Sequence, residues 1–536
     1  VHPTRGDGEP RPFAVSPFAQ ALARSRPSTR AKRRWLFVPY DQLHDGIGPL
    51  AHEPPKELGI VLVESRAKAG RRPYHVQKLA LVLANMRHFA LEQQARGVLV
   101  RHVATAGDYA SALAPLAREL GPLRVQRPAE RELRLELQPL FANGSLVEVP
   151  HDGWLTTTDD FAAIPGPPWR MDAFYRQVRR RTDVLMQRGK PVGGKFSFDA
   201  ENRRAWDGDP PAPTELTYEP DAITREVCEL VRRDFGKHPG TLRPEHLPAT
   251  RADAERTWQW ALRECLPWFG PFEDAMSTRS TGLFHTRLSP LLNLNRVLPK
   301  QVLADVLATE LPLASKEGFV RQILGWREFV RHVHEATDGL RSHAGVPIER
   351  NALAADLHLP AAYWPGKPSG LHCLDRVVHD VWHEGYSHHI TRLMVLGNLA
   401  TLLGVLPDEL SQWFWFAYAD AYDWVVEPNV LAMATYGTGD LMTTKPYVAG
   451  SAYLDRMGDY CADCAFDPKT TCPITRLYWA FLARNAERLA GNQRIAMPLR
   501  SAQKRSPADK ERDAAVAAWV RGTLAHGRRL DPADAP

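Results

Sequence analysis

The chain has 536 residues, 44% of them hydrophobic, and a formal net charge of +6, which is enough for a large core in two or more domains. It has no run of roughly 18 apolar residues, which argues against a transmembrane span. Six cysteines are too few for a disulfide scaffold and fit a reducing cytoplasm.

In chain order, residues 1–33 are rich in Arg, Pro and Ser and lack a continuous apolar stretch, as expected of a flexible basic arm and not of a signal peptide. From residue 34 to about 150 the runs "RWLFVPY", "LGIVLVESR", "GVLVRHV", "LRVQRP" and "SLVEVP" read as strands. They alternate with helical stretches such as "YHVQKLALVLANMRHFALEQQAR". That alternation predicts a doubly wound α/β domain with a parallel sheet. No G-x-G-x-x-G follows the first strand, so a dinucleotide fingerprint is absent. Tyr40, Asp41, Gln42 and Glu64 fall at the carboxyl ends of strands, where such folds bind ligands; capping is the plainer role for polar residues there.

Residues 151–220 form a connection too long for an ordinary loop. Within it, Arg170 to Arg204 carries ten Lys/Arg, among them Arg179, Arg180, Arg181 and Lys195, against four acids. Such a patch is the footprint of a polyanion partner or, equally, a solvated helix face. From residue 221 to 500 strand alternation gives way to Trp, Leu and Ala at helical spacing, which predicts an all-helical domain. A helical tail, residues 501–536, follows a polar break.

The stretch "YCADCAFDPKTTCPI" places Cys461, Cys464 and Cys472 close together. Two residues between the first pair let both sulfurs reach one ion, and a proline after the third is common among iron–sulfur ligands; zinc suits the same thiolates. The fourth ligand is open among Cys228, Cys265, Cys373 and a histidine. His379 to Gly404 reads as one long helix. On it His383 and His388 point about 140° apart at 3.6 residues per turn, so no H-E-x-x-H metal face forms. The neighbours His388 and His389 suit proton transfer, with structural histidines as the plainer reading. Trp326, Trp364, Trp413, Trp415, Tyr418, Tyr422 and Trp424 crowd the same domain, mostly as core.

Longer motifs carry a resemblance. "EGFVRQILGWREFVRHV", "TRSTGLFHTRLSPLLNLN" and "GYSHHITRLM" resemble the flavin helix, phosphate loop and active-site helix of photolyases and cryptochromes. "FGPFEDAM", "DWVVEPNVLAMATYGTGDLMTTKPYVAG" and the cysteine block resemble the prokaryotic iron–sulfur branch, the bacterial cryptochromes and (6-4) photolyases. The resemblance spans about residues 36–500. It implies an antenna domain, an interdomain linker and a helical domain holding FAD through Ser289, Gln322, Trp326, Arg327, Arg392 and Asp420. It also implies a [4Fe–4S] cluster on Cys373, Cys461, Cys464 and Cys472, although the interval from Cys464 to Cys472 is shorter than in relatives. Flavin reduction would run through Trp364, Trp413 and Tyr422. His388 and His389 would serve as proton donors, since a histidine pair favours (6-4) repair over dimer repair.

By the same resemblance, Tyr40, Asp41, Gln42 and Glu64 would hold a 6,7-dimethyl-8-ribityllumazine antenna, and Asp199 and Asp274 a Mg2+ ion. Arg179, Arg180, Arg181, Lys195 and Lys445 would contact UV-damaged DNA. The branch often has an acid facing the reactive flavin nitrogen, where this chain has Val426, with Glu427 beside it. The expectation is a monomeric, cytoplasmic, blue-light-driven (6-4) DNA photolyase without membrane association. The alternatives are a cryptochrome photoreceptor without repair activity and a zinc protein binding nucleic acid.

Overall fold

The computed structural model describes residues 16–25, 27 and 32–536. Five short apolar runs pair into one parallel sheet, β1 (Arg34–Phe37), β2 (Leu58–Ser65), β3 (Leu99–Thr105), β4 (Leu123–Gln126) and β5 (Leu146–Val149), in the order β3-β2-β1-β4-β5. Every residue of β2 is buried, as an unbroken apolar strand covered on both faces requires. The chain enters through α1 (Pro17–Arg24), and α2 (Val76–Ala95), α3 (Tyr109–Leu120) and α4 (Arg131–Ala142) follow along this domain. Asp108 caps α3 by accepting from the Ser111 amide at 2.8 Å, satisfying one of the orphan donors of its first turn. The α/β fold class expected of this half is the one observed.

The expected flexible arm is corrected in part. Ser16 caps α1, and Phe18 turns into the core with its ring 4.8 Å from that of His102. The Ser16 hydroxyl and the Phe18 amide both donate to Glu226, at 2.6 and 3.0 Å. The remainder of the arm, residues 1–15, 26 and 28–31, lies outside the described residues.

Residues 151–220 are not an extended connection. They hold α5 (Met171–Thr182) and a small antiparallel ribbon, β6 (Met186–Gln187) with β7 (Lys190–Pro191). Phe174, Tyr175 and Val178 of α5 are buried, and the Tyr175 hydroxyl donates to Glu317 of the helical domain at 3.0 Å.

The second domain is helical, as expected, and includes α6 (Ala222–Phe235), α7 (His372–Glu384), α8 (Pro407–Ala417) and α9 (Pro473–Arg484). Four π-helical segments, Ala261–Cys265, Arg321–Arg327, Arg392–Gly397 and Glu427–Ala434, interrupt its ordinary helices. The tail is docked on the domain through α10 (Pro507–Ala525), which packs along α9. Beyond it Leu530 is buried and donates its amide to the Ser369 carbonyl at 2.8 Å.

The two domains interlock around the start of α2. The ring of His75, which caps this helix, stacks on Trp382 at 5.9 Å and 5°. The Lys78 ammonium is buried between the rings of Tyr74 and Tyr422, 4.9 Å from each, and donates to the carbonyls of Trp415 and Ala421. No helix among the described residues is long and apolar enough to cross a membrane.

Candidate active site

A cavity of about 1120 Å³ opens in the helical domain. Ser289, Gln322, Trp326, Arg327, His388, His389, Arg392 and Asp420 all line it, so the residues expected to hold flavin and to move protons meet in one place. Three of the four π-helical segments supply part of this wall, Arg321–Arg327, Arg392–Gly397 and Glu427–Ala434, the last through Val430 and Met433. Such segments re-aim side chains that a regular helix would turn elsewhere.

Arg392 and Asp420 form a bidentate pair at 3.0 and 2.9 Å. The pair is held from three sides. Arg392 Nε donates to the Ser387 carbonyl at 2.8 Å, the Ser289 hydroxyl donates to Asp420 Oδ2 at 2.6 Å, and the guanidinium lies 4.1 Å from the Tyr418 ring. Burial pushes the Asp420 carboxyl up, but Arg392 and the Ser289 hydroxyl outweigh it and hold it below its usual range. Gln322 donates to Glu273 at 2.6 Å, and the buried Arg327 Nε has no partner among the described residues.

The expectation of one helix from His379 to Gly404 is corrected. Gly385 sits at φ 66° and ends α7, and the chain turns through extended backbone before His388 starts a new helix. The angles reckoned along one continuous helix therefore do not apply. Glu384 is engaged by Arg287 at 2.7 Å and by the Thr281 hydroxyl at 2.9 Å, while His383 stacks on His379 away from the cavity at 5.9 Å. His388 lies flat on a third histidine, His285, with centroids 4.5 Å apart and planes 5° apart. His389 meets His285 edge-on at 5.2 Å. Burial, with the neighbouring imidazoles next, holds His285 and His388 well below the usual histidine range. Burial lowers His389 too, against the pull of Glu273. The sequence reading missed His285, although it sits inside the quoted phosphate-loop motif.

Trp364 and Trp413 belong to one aromatic run, and Trp382 is the link the sequence reading left out. Trp364 stacks on Trp382 at 5.6 Å, Trp382 meets Trp413 at 5.8 Å, and Trp413 meets Phe414, a cavity residue, at 5.1 Å. Tyr422 is outside this run and stacks on Tyr40 at 6.0 Å, at the sheet domain. Val426 lines the cavity; Glu427 turns away to accept from Arg341 at 2.9 Å and to pair with His334 at 2.9 Å.

Cys373 is on α7 and Cys472 stands at the N-terminus of α9, with Cys461 and Cys464 on the turn segment between the helix Ser451–Met457 and α9. Asp463 joins the two parts through its carbonyl, 3.1 Å from the His372 ring. Burial, then the presence of Cys472, Cys464 and Cys461, pushes the Cys373 thiol far up, so Cys373 is near the other three in the folded chain. The short interval before Cys472 is closed by Asp467, whose carboxylate accepts from the Lys469 and Thr470 amides at 2.9 and 2.8 Å. Cys228 and Cys265 are buried elsewhere.

Several expected contacts are corrected. Arg179 is fully buried and donates to the carbonyls of Val184, Leu185 and Phe196, so it staples the β6–β7 ribbon and has no face for DNA. Arg181 pairs with Asp160. Arg180 and Lys195 remain exposed, and Lys195 and Lys445 reach the cavity rim. Asp199 and Asp274 share Arg203, at 2.5 and 3.8 Å; burial, with Glu273 and Asp199 nearby, pushes Asp274 up to about 6. Glu64 is not free for an antenna, since Arg87 binds it bidentately at 2.7 and 2.9 Å and His102 takes it at 2.9 Å. Gln42 donates to the Gln126 carbonyl at 3.0 Å, whereas the Tyr40 hydroxyl and Asp41 Oδ1 are buried without partners among the described residues.

Residues 36–247 match the family model of deoxyribodipyrimidine photo-lyase-related proteins. The chain is 37% identical over 479 residues to a (6-4) photolyase of Agrobacterium fabrum, covering 85% of this chain and 93% of that protein. An uncharacterised protein of Acanthamoeba polyphaga mimivirus is 29% identical over 102 residues, 19% of this chain and 80% of that one. In fold, a bacterial class III photolyase from Agrobacterium tumefaciens superposes with a TM-score of 0.55 at 15% identity, over 92% of this chain and 99% of that one.

Proposed function

The chain belongs to the photolyase family, and from that premise we propose that it is a lyase that uses light to repair (6-4) pyrimidine photoproducts in DNA. The observation that carries the reading is that His388 and His389 line the same cavity as the Arg392–Asp420 pair.

The cavity fits FAD. At about 1120 Å³ it exceeds the roughly 300–1,000 Å³ of ordinary small-ligand sites, and the partnerless Arg327 Nε in its wall calls for an acceptor. Bound there, FAD would supply light-driven one-electron chemistry. Ser289, Gln322, Trp326, Arg327, Arg392 and Asp420 would hold it. Asp420 keeps the Arg392 charge in a fixed orientation, as a bidentate pair does. Opening a (6-4) adduct returns a hydroxyl between two bases, which needs an acid. Burial disfavours the charged form of both imidazoles, so a proton loaded on either is handed on readily. Arg180, Lys195 and Lys445 would meet DNA phosphates, and a damaged base, poorly stacked, is cheap to turn out of the helix.

For Cys373, Cys461, Cys464 and Cys472 we favour a [4Fe–4S] cluster. Cys373 lies near the other three, and a proline directly follows Cys472, as is common among iron–sulfur ligands. The partnerless Tyr40 hydroxyl and Asp41 oxygen support a polar antenna such as the ribityllumazine, without Glu64. A Mg2+ ion between Asp199 and Asp274 would have to displace Arg203.

The test is illumination of the reduced, flavin-loaded protein with an oligonucleotide bearing one (6-4) lesion. Restored thymines are expected under blue light and none in the dark. A His389→Ala variant is expected to lose about 10²–10⁴-fold in repair with flavin photoreduction intact. Lesions left unchanged by protein whose flavin is bound and reduced would sink the repair reading.

A further inference from the structure

We infer that His285, His388 and His389 form a binding site for a divalent transition metal of the imidazole-preferring class, Ni2+, Zn2+ or Cu2+, in the wall of the large cavity. Each ring offers one nitrogen, and the three lie within 4.8 Å of one another, a grouping met nowhere else among the described residues. His285 Nε2 and His388 Nδ1 are buried and have no hydrogen-bond partner among the described residues. An unpaired buried nitrogen is costly unless something fills its place. The Glu273 backbone lies beside the His285 ring and raises it against burial; an outer contact of this kind can fix the tautomer of a metal-ligating histidine.

The surroundings permit a dication. Arg392 is paired bidentately with Asp420, and Arg287 is paired with Glu215 and Glu384, at 2.8 and 2.7 Å. A third guanidinium near His389, Arg321, is paired with Glu273 and Glu317, at 3.2 and 3.4 Å, so the nearby guanidinium charges are already balanced. A metal–nitrogen bond of about 2.0–2.1 Å sets tetrahedral ligands roughly 3.4 Å apart, so the trio, now within 4.8 Å, has to draw together, and the parallel rings of His285 and His388 have to tilt to aim both nitrogens at one ion. His389 is desolvated by the cavity wall but keeps an open face on the cavity, which leaves it free to turn toward the stacked pair. The remaining coordination position faces the cavity and is open to water, the usual pattern of a three-histidine centre.

This site uses the two histidines to which repair assigns a proton, but its metal binding is independent of that assignment. A rival lies on the surface, since His379 and His383 stand four residues apart on α7 with rings 5.9 Å apart. The test is calorimetric titration of Ni2+ into the flavin-loaded protein in the dark; Ni2+ suits imidazole, whereas thiolates select softer ions. One ion per chain is expected. His285→Ala and His389→Ala should each weaken it at least about tenfold, while a His379→Ala/His383→Ala double variant should bind as the parent does. Because His389 is exposed, its variant decides the matter if His285→Ala fails to fold. Absence of saturable binding in the parent overturns the inference. So does binding that survives in His389→Ala and disappears in the surface double variant. Neither result bears on whether lesions are repaired, so the two proposals fail separately.

Discussion

Glu64 shows how one side chain can occupy a ligand-binding position and still be structural. It stands at the carboxyl end of β2, yet both its oxygens are taken by Arg87 and His102. Burial pushes its carboxyl up, but those bonds outweigh it and bring it from 4.5 down to about 2. A depressed carboxyl stabilises the fold fully above its unfolded value and loses that contribution as pH falls through the folded one. Acid unfolding should therefore gain a slope between pH 4.5 and about 2. Glu64→Gln should remove that slope and cost at most about 3 kcal/mol at neutral pH. Urea unfolding of parent and variant across that range checks it, and parallel curves would assign the slope to other carboxyls. The position of Glu64 was legible in the sequence. Its partners were not, because Arg87 is distant along the chain and nothing in β2 announces a salt bridge.

At the scale of elements, the strand–helix alternation of the first domain was legible because a period of two and a period of 3.6 leave different patterns. The break at Gly385 was not, although the glycine was in plain view, because apolar periodicity resumes after it in nearly the same phase. The π-helical wall segments were equally hidden, since one inserted residue per turn leaves no compositional trace. Gly385 ends α7 at φ 66°. A Cβ there would come no nearer than 3.4 Å to His75, so the penalty of a side chain is conformational and not steric. Gly385→Ala should cost about 1–2 kcal/mol, read as a lower midpoint in thermal unfolding. A variant as stable as the parent would mean that the turn tolerates a different helix end. The proposed cysteine ligands fall between these cases: Cys461, Cys464 and Cys472 are grouped by local spacing, whereas only the family resemblance joined Cys373 to them, since α7 meets the later segment only in the folded chain.

At the scale of the molecule, the sheet domain and the helical domain share buried polar chemistry. The Lys78 ammonium lies on α2 of one domain, and both its carbonyl acceptors, Trp415 and Ala421, lie in the other. Burial pushes its pKa far down, and the two carbonyls beside it depend on its donors. Lys78→Met should destabilise the protein by about 3 kcal/mol, since each hydrogen bond to a charged group is worth about 1.5–3. Amide exchange should quicken around residues 415–421 before it does so in the sheet. Unchanged protection there would mean that packing alone holds the interface. This single amine also bears on engineering. An α/β module cut from this chain at residue 150 would carry the Lys78 amine while its two carbonyl acceptors stayed behind. Grafted onto another helical body, it would need carbonyls waiting at the same spot, so the natural unit of exchange is the sheet together with the segment from Trp415 to Ala421.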